Sequence, residues 1–170
     1  MFFDGQWTCV LQVPKWSQPP QPATPPCYYG WDEGSICWES GQTVADDWMC
    51  TNSDPITHVR WWGSFYRWKQ AAPLPHPEMP IHFHILFWTD VPADPENPDS
   101  FSHPGSAIHE IQASTYAYTC QFQQWEFDPH TSEYEAYFVF DSELDRSEWF
   151  FPEPTSETTV YWISITACYG

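Results

Sequence analysis

The sequence predicts an all-β fold, an antiparallel β-sandwich of jelly-roll type with about eight strands and long proline-rich loops. Three observations carry this. Apolar residues recur with the period of two that a half-buried strand requires, while helical periodicity is nearly absent. Aromatic side chains form 19% of the 170 residues, enough to fill a core despite a mean hydropathy of −0.52. Eighteen prolines, about twice the usual usage of 5%, fall mostly between the apolar runs and stiffen the connections there.

Strands are expected near 5–12, 42–49, 56–66, 81–88, 106–114, 117–125, 133–140 and 158–167, each bounded by Pro, Gly, Asp or Ser. The clearest is "IHFHILFW" (81–88), where Ile81, Phe83, Ile85 and Phe87 share one face and His82, His84, Leu86 and Trp88 the other. "EYEAYFVF" (133–140) and "TTVYWISITA" (158–167) share this apolar character on both faces, as central strands do. The segment "PKWSQPPQPATPPCYYG" (14–30) holds six prolines and lacks the ladder donors of a central strand. It reads as a strap over the surface, pinned by Trp16 and a disulfide, within a Pro/Gly-rich stretch running to residue 41. A chain of this length fills one core, so residues 1–170 read as a single domain.

Against 23 acidic residues stand five basic ones, a net charge of −18. Such a surface repels nucleic acid phosphates and anionic membranes, so neither is an expected partner. No window is long and apolar enough for a membrane span. Six cysteines (Cys9, Cys27, Cys37, Cys50, Cys120 and Cys168) include no CxxC pair, which argues against zinc and for up to three disulfides in an oxidising compartment. The preferred pairs are Cys27–Cys37, closing "CYYGWDEGSIC", and Cys9–Cys168, tying the terminal strands together. The competing reading is six buried free thiols. "MFFDGQWTCV" shows no basic region and no apolar run of signal type, so the cysteine usage predicts the mature form of an exported protein, extracellular or at the cell surface.

Calcium is the expected ligand of "TDVPADPENPDS" (89–100), because Asp90, Asp94, Glu96, Asn97 and Asp99 supply the hard oxygens it prefers. The alternative is a polar turn stiffened by proline. Asp46 and Asp47 are adjacent in a strand and face opposite ways; the inward one needs a cation or a partner such as Arg60. His82 and His84 share a face and have the spacing of a metal pair, but no carboxylate follows until Asp90. Trp61, Trp62, Trp68 and Trp88 could form a flat aromatic face for sugar rings or for contacts between copies. No nucleophile motif occurs, since "WWGSF" and "HPGSA" lack the GxSxG pattern. No catalytic residue is therefore assigned.

At 44–65, "VADDWMCTNSDPITHVRWWGSF" resembles a family of uncharacterised exported bacterial β-domains with a pattern close to ADD[FW]xC…PITDIHxWGSW. The likeness continues through "HFHILFWTDVPADPENPDSFSHPG" (82–105), and "KWSQPP" (15–20) is similar to the family's usual opening. His58 stands where that family tends to have Asp. The resemblance implies an exported β-domain and brings no activity. The function expected is a non-enzymatic extracellular structural protein that assembles with itself into a tube or filament, calcium bridging its acidic loops. The alternative is a carbohydrate-binding module or lectin-like domain with a polysaccharide partner.

Overall fold

Alternating apolar residues build the regular elements seen here, with proline kept to the connections except Pro104 near the start of the fourth strand. The computed structural model describes residues 14–18, 34–37, 42–75, 78–114, 117–128, 132–154 and 159–170, among which no helix occurs. Its seven strands are β1 (Ala45–Cys50), β2 (His58–Ser64), β3 (His82–Val91), β4 (His103–Ser114), β5 (Thr119–Asp128), β6 (Glu133–Glu143) and β7 (Thr159–Cys168). They form two antiparallel sheets, ordered β1-β7-β3-β4 and β2-β6-β5. The strand expected at 5–12 lies outside the described residues. No helix among the described residues is long and apolar enough to cross a membrane.

The sheets meet face to face, sandwich-like, through aromatic rings. Phe83 of β3 lies 5.0 Å from Trp61 of β2 and 5.2 Å from Phe140 of β6, centroid to centroid. Within the four-stranded sheet Trp48 stacks on its cross-strand neighbour Tyr161 at 5.6 Å, and Phe150, from the segment after β6, stacks on Phe87 at 4.5 Å. Each fully buried ring of this kind contributes roughly 1.5–3 kcal/mol, and favourable ring pairing about 0.5–1.5 kcal/mol more. Phe83, Ile85 and Phe87 point inward as the alternation predicts and all three are buried, whereas Ile81, expected on the same face, precedes β3 and is 52% exposed.

β3 and β4 extend beyond their expected limits because their pairing continues past an irregularity. The register shifts between Phe87 and Trp88 and again between Trp88 and Asp90, after which Asp90 faces Pro104 and Val91 faces His103. Gly105 permits this close approach. A Cβ there would stand 2.7 Å from the Thr89 hydroxyl and 3.1 Å from Val91 Cγ2.

Trp16 does not pin the strap where it can be described; its side chain is half exposed. Lys15 does so instead, its ammonium donating to the carbonyls of Asn52 at 2.9 Å and Asp54 at 2.5 Å. Further along, residues 34–37 lie parallel to the end of β7. Ile36 bridges Ala167, the Cys37 N–H donates to the Ala167 carbonyl at 3.1 Å, and the Ala167 N–H donates to the Ser35 carbonyl at 3.0 Å. This segment takes over the edge position where β1 stops at Ala45, opposite Ser164.

Candidate functional site

The oxygen-rich loop after β3 is knitted from its own side chains. Asp94 Oδ1 accepts the Glu96 N–H at 2.9 Å, and Asn97 Oδ1 accepts the Asp99 N–H at 3.1 Å. These are two successive Asx turns, the short-range bond that makes Asp and Asn turn formers. The Ser100 hydroxyl accepts the Asp94 N–H at 2.9 Å and closes the loop. Asp90 stands apart at the end of β3, where Oδ1 accepts the Ser102 hydroxyl at 2.5 Å and the Trp162 indole N–H at 2.8 Å. Among the described residues no three His, Cys, Asp or Glu side chains gather as a metal site would need.

Asp46 and Asp47 fall in β1 as expected and point to opposite faces. Asp46 takes the inward parity of Trp48 and Cys50. Burial raises its carboxyl above the ordinary range, opposed by the Asp47 N–H and reinforced by the Asp47 charge. Arg60 does not serve either of them. Its guanidinium meets Asp141 Oδ2, at 2.6 Å from Nε and 2.5 Å from the terminal nitrogen, while His58 binds Asp141 Oδ1. The antiparallel register sets Arg60 directly opposite Asp141 and brings His58, two residues away on the same face, within reach. Burial pushes the Asp141 carboxyl up, but His58 and Arg60 outweigh it and hold the group below the usual range. On β3, His82 and His84 face away from the core, and His84 Nε2 meets Glu110 at 2.9 Å on β4.

The four tryptophans singled out do not share one face. Trp61 and Trp62 help line a cleft of about 120 Å³ between the edge of β2 and the end of β7, together with Ser35, Phe83, Ile165 and Tyr169. The indole N–H of Trp61 is buried and meets no hydrogen-bond acceptor among the described residues. Trp68 packs against the core and donates its indole N–H to the Ala72 carbonyl at 2.7 Å. Trp88 lies on the outer face of the four-stranded sheet, donating to the Ser164 hydroxyl at 3.0 Å.

Sequence reasoning passed over the carboxylates that the fold buries. Glu126 and Glu135 face each other across β5 and β6, and both are buried, as is Asp128. Glu135 Oε1 accepts the backbone N–H of Arg67 at 2.6 Å, and its other oxygen accepts the Ser64 hydroxyl at 3.4 Å. Arg67 is left-handed, with φ of 59°, a costly conformation for a residue with a Cβ, so this carboxylate anchors a strained turn. Only cross-strand register brings these groups together, and no local motif announces it.

The family profile described as Domain of unknown function (DUF7901) matches residues 14–169. The chain belongs to this family. No curated protein and no solved structure matches it. Within this DUF7901 domain the "VADDWMC…WWGSF" segment supplies β1, β2 and the start of the Arg67 turn. The matched span also takes in the strap residue Lys15 and the cleft residue Tyr169.

The four described cysteines of the DUF7901 domain are free thiols. Cys50 is buried and donates to the Asn52 carbonyl at 3.1 Å. Burial pushes the Cys120 thiol up to about 12. The Cys168 thiol donates to the Thr166 carbonyl at 3.9 Å, and Cys37 is its neighbour across the bridge to residues 34–37. Cys9 and Cys27, their expected disulfide partners, lie outside the described residues.

Proposed function

We propose that this DUF7901 domain is a non-enzymatic, exported structural protein that assembles with copies of itself. One observation supports this above others: large aromatic side chains stand far out of the sandwich. Tyr66 is 76% exposed, Phe101 73%, Tyr134 61% and Phe151 58%. Single exposed apolar residues are ordinary, but aromatic rings are the side chains that interfaces between proteins favour. Calcium enters this reading as a bridge between copies. Oδ1 of Asp94 and of Asn97 is already engaged with backbone N–H groups, so ligands would be drawn from more than one loop. The nested pairing of β1 with β7 and of β2 with β6 supports a jelly-roll reading of the sandwich. Sedimentation velocity across a concentration series, in calcium and in chelator, tests assembly. Oligomers that weaken in chelator and in Tyr66→Ser/Phe101→Ser are expected. A monomer at every concentration overturns the reading.

The cleft favours a second reading, a carbohydrate-binding module. Trp62 and Tyr169 bring aromatic surface to it, against which a sugar ring stacks. The volume suits a single terminal ring rather than a long chain. Calorimetric titration with mono- and oligosaccharides should give binding that Trp62→Ala, which removes aromatic surface from the cleft, weakens about tenfold, or ~1.4 kcal/mol. Heat that is equal for both proteins rules the cleft out.

A further inference from the structure

The parallel bridge between Ile36 and Ala167 fixes what lies one residue further along. In a parallel pair the next residues face each other too, about 4.8 Å apart at Cα, with side chains on the same side of the sheet. Here those residues are Cys37 and Cys168. A spacing of that size falls inside the 4.4–6.8 Å between Cα atoms that a disulfide spans. The backbone on either side of the pair is hydrogen-bonded, Cys37 N–H to the Ala167 carbonyl at 3.1 Å, and both thiols are free. We propose that Cys37 and Cys168 form a disulfide that clasps residues 34–37 to the end of β7 when the protein meets a small-molecule disulfide in an oxidising compartment.

The two thiols differ in a way that orders the steps. Cys37 is exposed and Cys168 is 4% exposed, so an external disulfide reaches Cys37 first. The Cys37 thiolate attacks one external sulfur, forming a mixed disulfide and releasing one thiolate. Cys168 then loses its proton to solvent and attacks the Cys37 sulfur, releasing the second. The two cysteines lose two electrons and two protons, and the external disulfide becomes two thiols. Burial, followed by the neighbouring Cys37, pushes the Cys168 thiol up to about 12, which suits it to act second, after Cys37 has been captured.

The clasp also fixes one wall of the aromatic cleft. Ser35 lines that cleft, and its hydroxyl donates to the Ile165 carbonyl at 2.6 Å. The pairing replaces the Cys27–Cys37 and Cys9–Cys168 assignments that spacing suggested, and it depends on neither functional reading.

The full chain is equilibrated with oxidised glutathione, its free thiols are alkylated, and it is digested with pepsin at low pH, where disulfide exchange is slow. Mass spectrometry should find a peptide pair joined through Cys37 and Cys168 that separates on reduction. Melting should fall by about 5–10 °C when the same sample is reduced. Cys168→Ser should leave Cys37 open to alkylation. If that variant fails to fold, the wild-type map alone decides. Cys37 joined to Cys27, to Cys9 or to a second chain overturns the proposal, and so do two alkylated thiols in the oxidised protein.

Discussion

Between Asp94 and Asp99 the acidic side chains stand in solvent, and Asp94 binds its own loop, whereas on β5 and β6 Glu126, Asp128 and Glu135 lie buried within the fold. The first group is crowded together in the sequence and conspicuous there. The second is scattered, and strand pairing assembles it. A carboxylate in water already has its hydrogen bonds, so an Asx turn gains little from it. A buried one exists only because something meets it, and its removal strands that partner. Exposed acids shape a loop, and buried acids hold a turn.

The largest effect is therefore expected at Glu135. Glu135→Ala leaves the left-handed Arg67 N–H without its acceptor and should cost about 3 kcal/mol, lowering the melting temperature by roughly 6–12 °C. A melting point within 2 °C of wild type would erase the contrast between the two acidic regions.

Next comes Gly105, at the base of the acidic loop. Gly105→Ala sets a methyl 2.7 Å from the Thr89 hydroxyl and should destabilise by about 1–3 kcal/mol in chemical denaturation. Wild-type stability would mean that the β3–β4 irregularity relaxes freely.

Asp141 lies between the extremes, one quarter exposed and paired with Arg60 and His58. Its carboxyl is held below the ordinary range, so its contribution is present above the unfolded value near 4 and is lost as pH falls through the folded value. Asp141→Asn should cost roughly 1 kcal/mol at pH 7, allowing for solvent screening, and nothing once both forms are protonated. A cost that persists unchanged in strong acid would show packing, rather than charge, to be responsible.

The smallest effect belongs to the loop. Asp94→Asn keeps the Asx turn and should shift stability by less than about 0.5 kcal/mol in chelator. In millimolar calcium the comparison sharpens. A loss confined to calcium marks a bound ion, and no loss leaves a connector.

Strand positions were legible because alternation survives any tertiary context that keeps one face buried. "IHFHILFW" shows this: Phe83, Ile85 and Phe87 lie inside. The ends of β3 and β4 were not, since the bulge at Trp88 and the accommodation at Gly105 depend on two strands at once. The candidate site was legible only residue by residue. Asp46 and Asp47 fall where expected, yet Arg60 meets Asp141, 81 positions away, and Trp61 meets Tyr169 only at the cleft. Such partners depend on sheet order, which a period of two leaves free.

Sheet order also carries a kinetic consequence. β7, the last strand in the chain, sits between β1 and β3. Until residues 159–168 arrive, the two earlier strands have no neighbour to join them, and each exposes a bare edge. Closure over more than a hundred residues makes folding slow, in the range of milliseconds to seconds typical of non-local β topologies. During that interval the open edges are where association with other chains competes with folding. Completion waits on the final strand, and a truncation just before Thr159 should yield aggregate rather than a smaller sandwich.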